Sequence, residues 1–155
     1  MHVSARSDYA VRALVELAAA GPRPLNREHL GTAQQIPIRF LGNILQQLKT
    51  AGLVHTHLGS EGGYYLARPA ADITLADVIR AIDGPLAHVR GDRPEAVHYS
   101  GAAEPLRDVW IAVRASLRGV LENVSLADVA GNTLPAAVKE LAGHPRAGHP
   151  SETAR

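Results

Sequence analysis

One stretch, IPIRFLGNILQQLKTAGLVHTHLGSEGGYYL from Ile36 to Leu66, leaves this chain few ways to fold. Ile36, Phe40, Leu41, Ile44, Leu45 and Leu48 recur at steps of three and four residues, the period of one helix face. The opposite face holds Arg39, Gly42, Asn43, Gln46 and Lys49, all polar or small. Pro37 suits the first helical turn, where its missing N–H costs nothing. Gly52 suits the residue just past the helix end, where φ turns positive. Leu53 to His57 then reads as a strand, Gly59-Ser60-Glu61-Gly62-Gly63 as a tight turn, and Tyr64-Tyr65-Leu66 as the returning strand. A helix followed by a two-stranded hairpin is the second half of a winged helix-turn-helix. The expected fold class is therefore mainly α, with a small β-hairpin wing and a long helix beyond it.

Upstream, a first helix is expected from about Ser7 to Ala20, with Ser7 as its cap, Asp8 near the positive end of its dipole, and Gly21-Pro22 as its stop. Tyr9, Val11, Leu14, Leu17 and Ala18 are its candidates for burial. A short second helix follows Asn26, a good cap, with Leu30 and Ala33 facing inward. Downstream, Thr74 and Asp77 have capping-box spacing ahead of the apolar stripe Leu75, Val78, Ile79 and Ile82. From Leu86 to Ala103 no period survives, and an irregular segment of that length is usually functional or disordered. The longest helix should start near Glu104-Pro105 and run to about Asn123. Along it Leu106, Trp110, Val113, Leu117, Val120 and Val124 recur at alternating steps of four and three, with Val109 and Leu121 widening the seam. Such a seam needs a partner surface: a second copy of the chain, or another part of the same one. Ser125 and Asp128 offer another capping box, and TLPAAVKELAG a last helix. The organisation expected is a reading domain over 1–83, a variable loop over 84–103, a dimerisation helix with C-terminal helices over 104–142, and a disordered tail over 143–155.

Composition removes several classes of function. The chain has no cysteine, which excludes disulfides and thiolate-held zinc or iron–sulfur sites. No run approaches the roughly 18–20 apolar residues of a membrane span, and the start lacks the apolar core of a secretion signal, so a cytoplasmic protein without a membrane partner is expected. Residues 1–68 carry seven Lys/Arg against four acids, and the rest nine against eleven, a mild asymmetry that fits a reader joined to a sensor or dimeriser. No nucleophile–base pair, phosphate-cradling loop or carboxylate cluster points to an enzyme. His55 and His57 share a strand face, but two imidazoles without a third ligand do not make a metal site.

Four segments together resemble the Rrf2 family of bacterial regulators: SDYAVRAL, IPIRFLGNILQQLKTAGLV, GSEGGYYLARPAADITLADVIRAIDGP and LENVSLADVAG. They are collinear with the family over about residues 1–131. That resemblance implies a dimeric transcription factor, usually a repressor, with a winged helix-turn-helix domain and a long crossed dimerisation helix. Well-known members hold an iron–sulfur cluster with three cysteines in the loop before that helix, and some add an aspartate from the first helix. Here the loop has no cysteine, and Asp8 at the aspartate's position reads as a helix-start residue. Many members also place an arginine just before the first wing glycine, where this chain has Leu58 beside His57.

Base edges in the major groove are read by side chains projecting from an exposed helix face. Arg39 matches the paired acceptors of guanine, and Asn43, one turn on, can pair bidentately with adenine. Gly42 permits close approach, Pro37 and Ile38 begin the helix (Ile38 within reach of a thymine methyl), and Gln46 and Lys49 lie further along. Ser4, Ser7, Asn26 and Arg27 are candidates for phosphate contact. In the wing, His57, Ser60, Gly62, Gly63 and Tyr64 complete the expected surface, with Gly62 and Gly63 supplying positive φ and close backbone approach. In the variable loop, His88, Arg90, His98 and Tyr99 line a pocket for an unknown small-molecule effector, coordinate something through oxygen and nitrogen ligands, or are simply solvated. The double-stranded operator of a homodimer would be palindromic. The competing reading is a winged-helix module that binds a protein and has lost DNA binding.

Overall fold

The computed structural model describes residues 2–144. Helix α1 spans Ala5–Ala20, α2 Arg27–Gln34, and α3 Ile38–Thr50. Strands β1 (Val54–His57) and β2 (Gly63–Leu66) form an antiparallel hairpin that pairs Val54 with Leu66 and His57 with Gly63. Then follow α4 (Leu75–Asp83), a loop, α5 (Leu106–Leu121), α6 (Leu126–Ala130) and α7 (Ala136–Gly143). This is the mainly helical, winged architecture the sequence predicts. The expected tail lies, from residue 145 onward, outside the described residues.

Burial follows the helical periods. Leu41, Ile44, Leu45 and Leu48 of α3 are fully buried against Ala10, Ala13, Leu14 and Leu17 of α1 and Leu30 of α2. At roughly 1.5–3 kcal/mol for each large side chain removed from water, this cluster is the main favourable term holding α3 in place. Its C-terminal end closes as expected. Gly52 takes φ +75°, its N–H donates to Lys49 O at 3.0 Å, and Leu53 N donates to Leu48 O at 2.9 Å.

Three local expectations are corrected. The cap of α1 is Ser4, whose Oγ accepts from Ser7 N at 3.0 Å, so the helix starts earlier than predicted and Ser7 is wholly buried in its first turn. In α2 the inward partner of Leu30 is Gly31; Ala33 is exposed. A Cβ on Gly31 would lie 2.9 Å from Ile38 Cδ1 and 3.1 Å from Ile36 O, so the close crossing of α2 and α3 favours glycine there. Gly62 and Gly63 are needed for proximity and not for positive φ, which in this turn belongs to Gly59 at +116°. A Cβ on Gly62 would sit 2.2 Å from His57 O, and one on Gly63 2.4 Å from Leu25 O. That second approach exists because Leu25 and Tyr64 exchange backbone hydrogen bonds of 3.0 and 2.8 Å, which tie the wing to the segment before α2.

Both predicted capping boxes are present, Thr74 with Asp77 on α4 and Ser125 with Asp128 on α6. Their caps lie side by side. Leu75 N donates to Val124 O and Leu126 N to Ile73 O, each at 2.9 Å. The chain leaves the winged domain through α5 and returns to it, with α6 packed on α1 and Leu126 inside its core. The irregular segment before α5 contains two single 3₁₀ turns, Pro94–Ala96 and Gly101–Ala103, and buries Leu86, Pro94 and Val97.

Candidate nucleic-acid interface

Helix α3 offers a continuous outward face. Pro37, Ile38, Arg39, Asn43, Gln46 and Lys49 are all exposed and Gly42 is half-buried, an arrangement produced by the burial of the opposite stripe. Phe40 belongs to this face and not to the core as predicted: it is 37% exposed, its ring lies 5.8 Å from that of Tyr9, and the Arg39 guanidinium stands 4.8 Å over it. The aromatic ring restrains the long Arg39 side chain, a cation–π contact that lowers the entropy lost when Arg39 engages a ligand. Arg27 reaches across from α2. Its Nη1 would be 3.3 Å from a Cβ at Gly42, so the missing side chain there admits a guanidinium of this same chain. Arg27 also pairs with Glu28 at 3.8 Å, an exposed contact of little energetic weight.

Among the residues expected to touch phosphate, Asn26 spends its Oδ1 on His29 N at 2.8 Å, which leaves its amide hydrogens outward. Ser7 is corrected, and Ser4 has its hydroxyl engaged within the chain. Both hydroxyls donate to Asp83 Oδ2 at 2.6 Å, and Ser7 has no exposed surface, so it cannot reach a duplex. Burial pushes the Asp83 carboxyl up, but the two hydroxyls, the Ser4 amide and the positive charge of Arg6 outweigh it and hold the group below its ordinary value. In the wing, His57 and Ser60 are exposed while Gly62, Gly63 and Tyr64 are half-buried. Leu58 at the tip is 88% exposed. His55 packs against Tyr65, ring centroids 5.6 Å apart.

One participant left no mark in the sequence pattern. Arg6, in the first turn of α1, donates from Nη2 to Asn43 Oδ1 at 2.6 Å and to Gln47 Oε1 at 2.5 Å. Neither Arg6 nor Gln47 belongs to the outward stripe, and a single charge in a first turn carries no periodic signal. Only the crossing of α1 over α3 brings these groups together.

The long helix is different. None of its side chains is fully buried, and the seam shows Leu106, Val109 and Val113 exposed, with Trp110, Leu117, Val120 and Leu121 half-buried. Val124 is corrected: it is 2% exposed and buried beside the α4 cap, where its carbonyl accepts from Leu75 N. Trp110 Nε1 donates to Tyr99 Oη at 3.0 Å, and the Arg90 guanidinium lies 5.6 Å from the Tyr99 ring centroid. The loop is held on α5 again by Arg114, which donates to both carboxylate oxygens of Glu95 at 2.6 and 2.8 Å. A groove of about 1040 Å³ runs between the start of α1, the loop and α5, with His88, Arg90, Trp110 and Leu117 on its walls. His98 is exposed, and both it and Tyr99 lie outside that lining, so the four candidate effector residues do not converge on one pocket.

Comparison with known proteins agrees with this geometry. The family model Rrf2, described as an iron-dependent transcriptional regulator, matches residues 3–132. A Mycobacterium tuberculosis protein named as an HTH-type transcriptional regulator is 53% identical over 152 residues, covering 95% of this chain and 92% of its own. The Bacillus subtilis regulator CymR is 30% identical over 86% of this chain and 92% of its own. Its solved structure, titled the global cysteine regulator, superposes with a TM-score of 0.73, 28% identity, and coverage of 86% of this chain and 98% of CymR. The structure of IscR from T. potens gives a TM-score of 0.70 at 28% identity, with coverage of 85% and 88%. The residues present do not fit a thiolate-held cluster. The chain lacks cysteine, Glu95 is engaged by Arg114, Asp8 pairs with Arg12 at 3.0 Å, and no trio of His, Cys, Asp or Glu able to hold a metal occurs among the described residues.

Proposed function

The chain belongs to the Rrf2 family of transcriptional regulators, and from that premise we propose that it acts as a homodimer, binding a palindromic operator through α3 and the wing, as a cytoplasmic repressor without an iron–sulfur cluster. The observation that carries this reading is the outward face of α3, where Arg39, Asn43, Gln46 and Lys49 stand exposed beside Arg27 on a helix whose other side is locked in the core. Residues 1–83 form the reader, completed by α6, which returns to α1 with Leu126 in its core, 84–103 the loop through which a signal acts, and the rest of 104–142 the dimerising part. The seam from Leu106 to Leu121 supports a two-fold contact, because the chain itself leaves that apolar stripe partly uncovered. An effector would work by binding one spacing of the two reading heads better than another.

Selection from a random duplex library tests the reading. A two-fold symmetric site should be enriched, and Arg39→Ala should lose about 1–3 kcal/mol of specific binding at one position in each half-site. Retention that is insensitive to salt, with no enriched site, would favour a protein partner instead, for which exposed Leu58 at the wing tip offers an apolar anchor. Purified protein should be colourless; a visible-range cluster absorbance would overturn the cofactor part of the proposal.

A further inference from the structure

The carboxamide of Asn43 is not free to present either of its ends. Arg6 Nη2 donates to Asn43 Oδ1 at 2.6 Å and, on the same side of α3, to Gln47 Oε1. A guanidinium has donors and no acceptor, so the amide oxygen, and not its nitrogen, must face it. Residues 43 and 47 stand one helical turn apart, which lets two carbonyl oxygens hold one guanidinium. Asp83 at the end of α4, its charge fixed by the hydroxyls of Ser4 and Ser7, adds a longer-range attraction on Arg6. The groups that hold Arg6 directly are the two amide oxygens of α3.

Resting on the DNA-reading role of α3, we propose that Arg6 is a positioning residue that sets base preference at Asn43. With Oδ1 turned toward Arg6, which takes one of its two lone pairs, Asn43 presents its Nδ2 donors to the groove, and it selects guanine over adenine. Adenine is read by a carboxamide that both accepts from N6 and donates to N7, whereas guanine presents two acceptors, O6 and N7. An Asn43 whose oxygen is held toward Arg6 serves the second pattern better than the first. This replaces the adenine pairing expected from Asn43 considered alone. It also gives Asn43 the same polarity as Arg39, so the first two turns of the reading face carry donors only.

The test is site selection from a random duplex library with the full-length chain and its Arg6→Met, Arg6→Lys and Asn43→Ala variants. Wild type should enrich guanine at one base pair per half-site, and Asn43→Ala should become indifferent at that pair. Arg6→Met should move that same position toward adenine, by about tenfold in relative affinity, with every other position unchanged. Arg6→Lys, again a pure donor, should restore guanine. Adenine at the Asn43 position in the wild type, or an unchanged preference in Arg6→Met, would overturn the inference. So would a uniform loss of affinity with a shallower salt dependence, the signature of a phosphate contact. A wild-type chain that enriches no site would instead bring down the DNA-reading premise, and the inference with it. Arg6 is exposed, so its removal should leave the melting temperature near the wild-type value, which serves as the folding control.

Discussion

Helices α3 and α5 carry apolar stripes of nearly the same period, yet the chain treats them differently. On α3 the stripe is sealed: Leu41, Ile44, Leu45 and Leu48 have no exposed surface, and α1, α2, α4 and the hairpin pack around them. On α5 no side chain is fully buried, Val109 remains 48% exposed, and the loop and α4 cover only one flank. A period indicates that a face will be covered. It does not say by what. The difference lies in return connections: short links bring α1, α2 and β1 back onto α3, whereas the segment after α5 turns away at Val124 and rejoins the winged domain through α6.

The largest effect that separates the two stripes should come from α3. Leu45→Ala leaves a cavity in a closed core and should cost about 2–5 kcal/mol of folding stability, read by urea denaturation. A loss well under 1 kcal/mol would mean that the α3 stripe is no better sealed than that of α5. Next comes Val113→Glu, which places an unpaired charge on the α5 seam. The unfolding free energy of the isolated chain should barely move, while the dimer dissociation constant should rise on the order of 100-fold in sedimentation experiments. Unchanged association would remove α5 as the interface.

The smallest effect concerns the joint between the two regions, at Asp83. Its carboxyl titrates below its ordinary value of 3.8, so the folded state gains stability that is complete above that value and is lost as pH falls through the lower, folded-state one. Asp83→Asn should flatten the dependence of melting temperature on pH below about 4 and change little at neutral pH. Glu122 and Asp128 also titrate low, for reasons independent of Asp83, so some acid sensitivity should persist. A variant as acid-sensitive as wild type would show that the two serine hydroxyls do not hold a charge.

What was readable in advance was local. The capping boxes at Thr74 and Ser125, the positive φ of Gly52, and the inward and outward faces of α3 each depend on residues within a turn or two of one another. The misreadings share the opposite property. Ser7 looked like a cap until α4 brought Asp83 to its hydroxyl, and Val124 looked like the last step of a seam until the chain buried it beside the α4 cap. Gly62 and Gly63 looked like conformational glycines until Leu25 was found against the wing. Phe40 fitted the buried stripe, but Tyr9 and Arg39 hold it at the rim.

The order of residues by itself therefore determined the helices, the hairpin, the exposed polar face of α3 and the absence of thiolate chemistry, because periodicity, capping and composition act over short separations or over none. Tertiary structure decided which hydroxyls meet Asp83, which guanidinium holds Asn43, and which of two similar apolar stripes is left open. Those outcomes depend on side chains far apart in sequence meeting within 3 Å, and no pattern along the chain encodes such a distance.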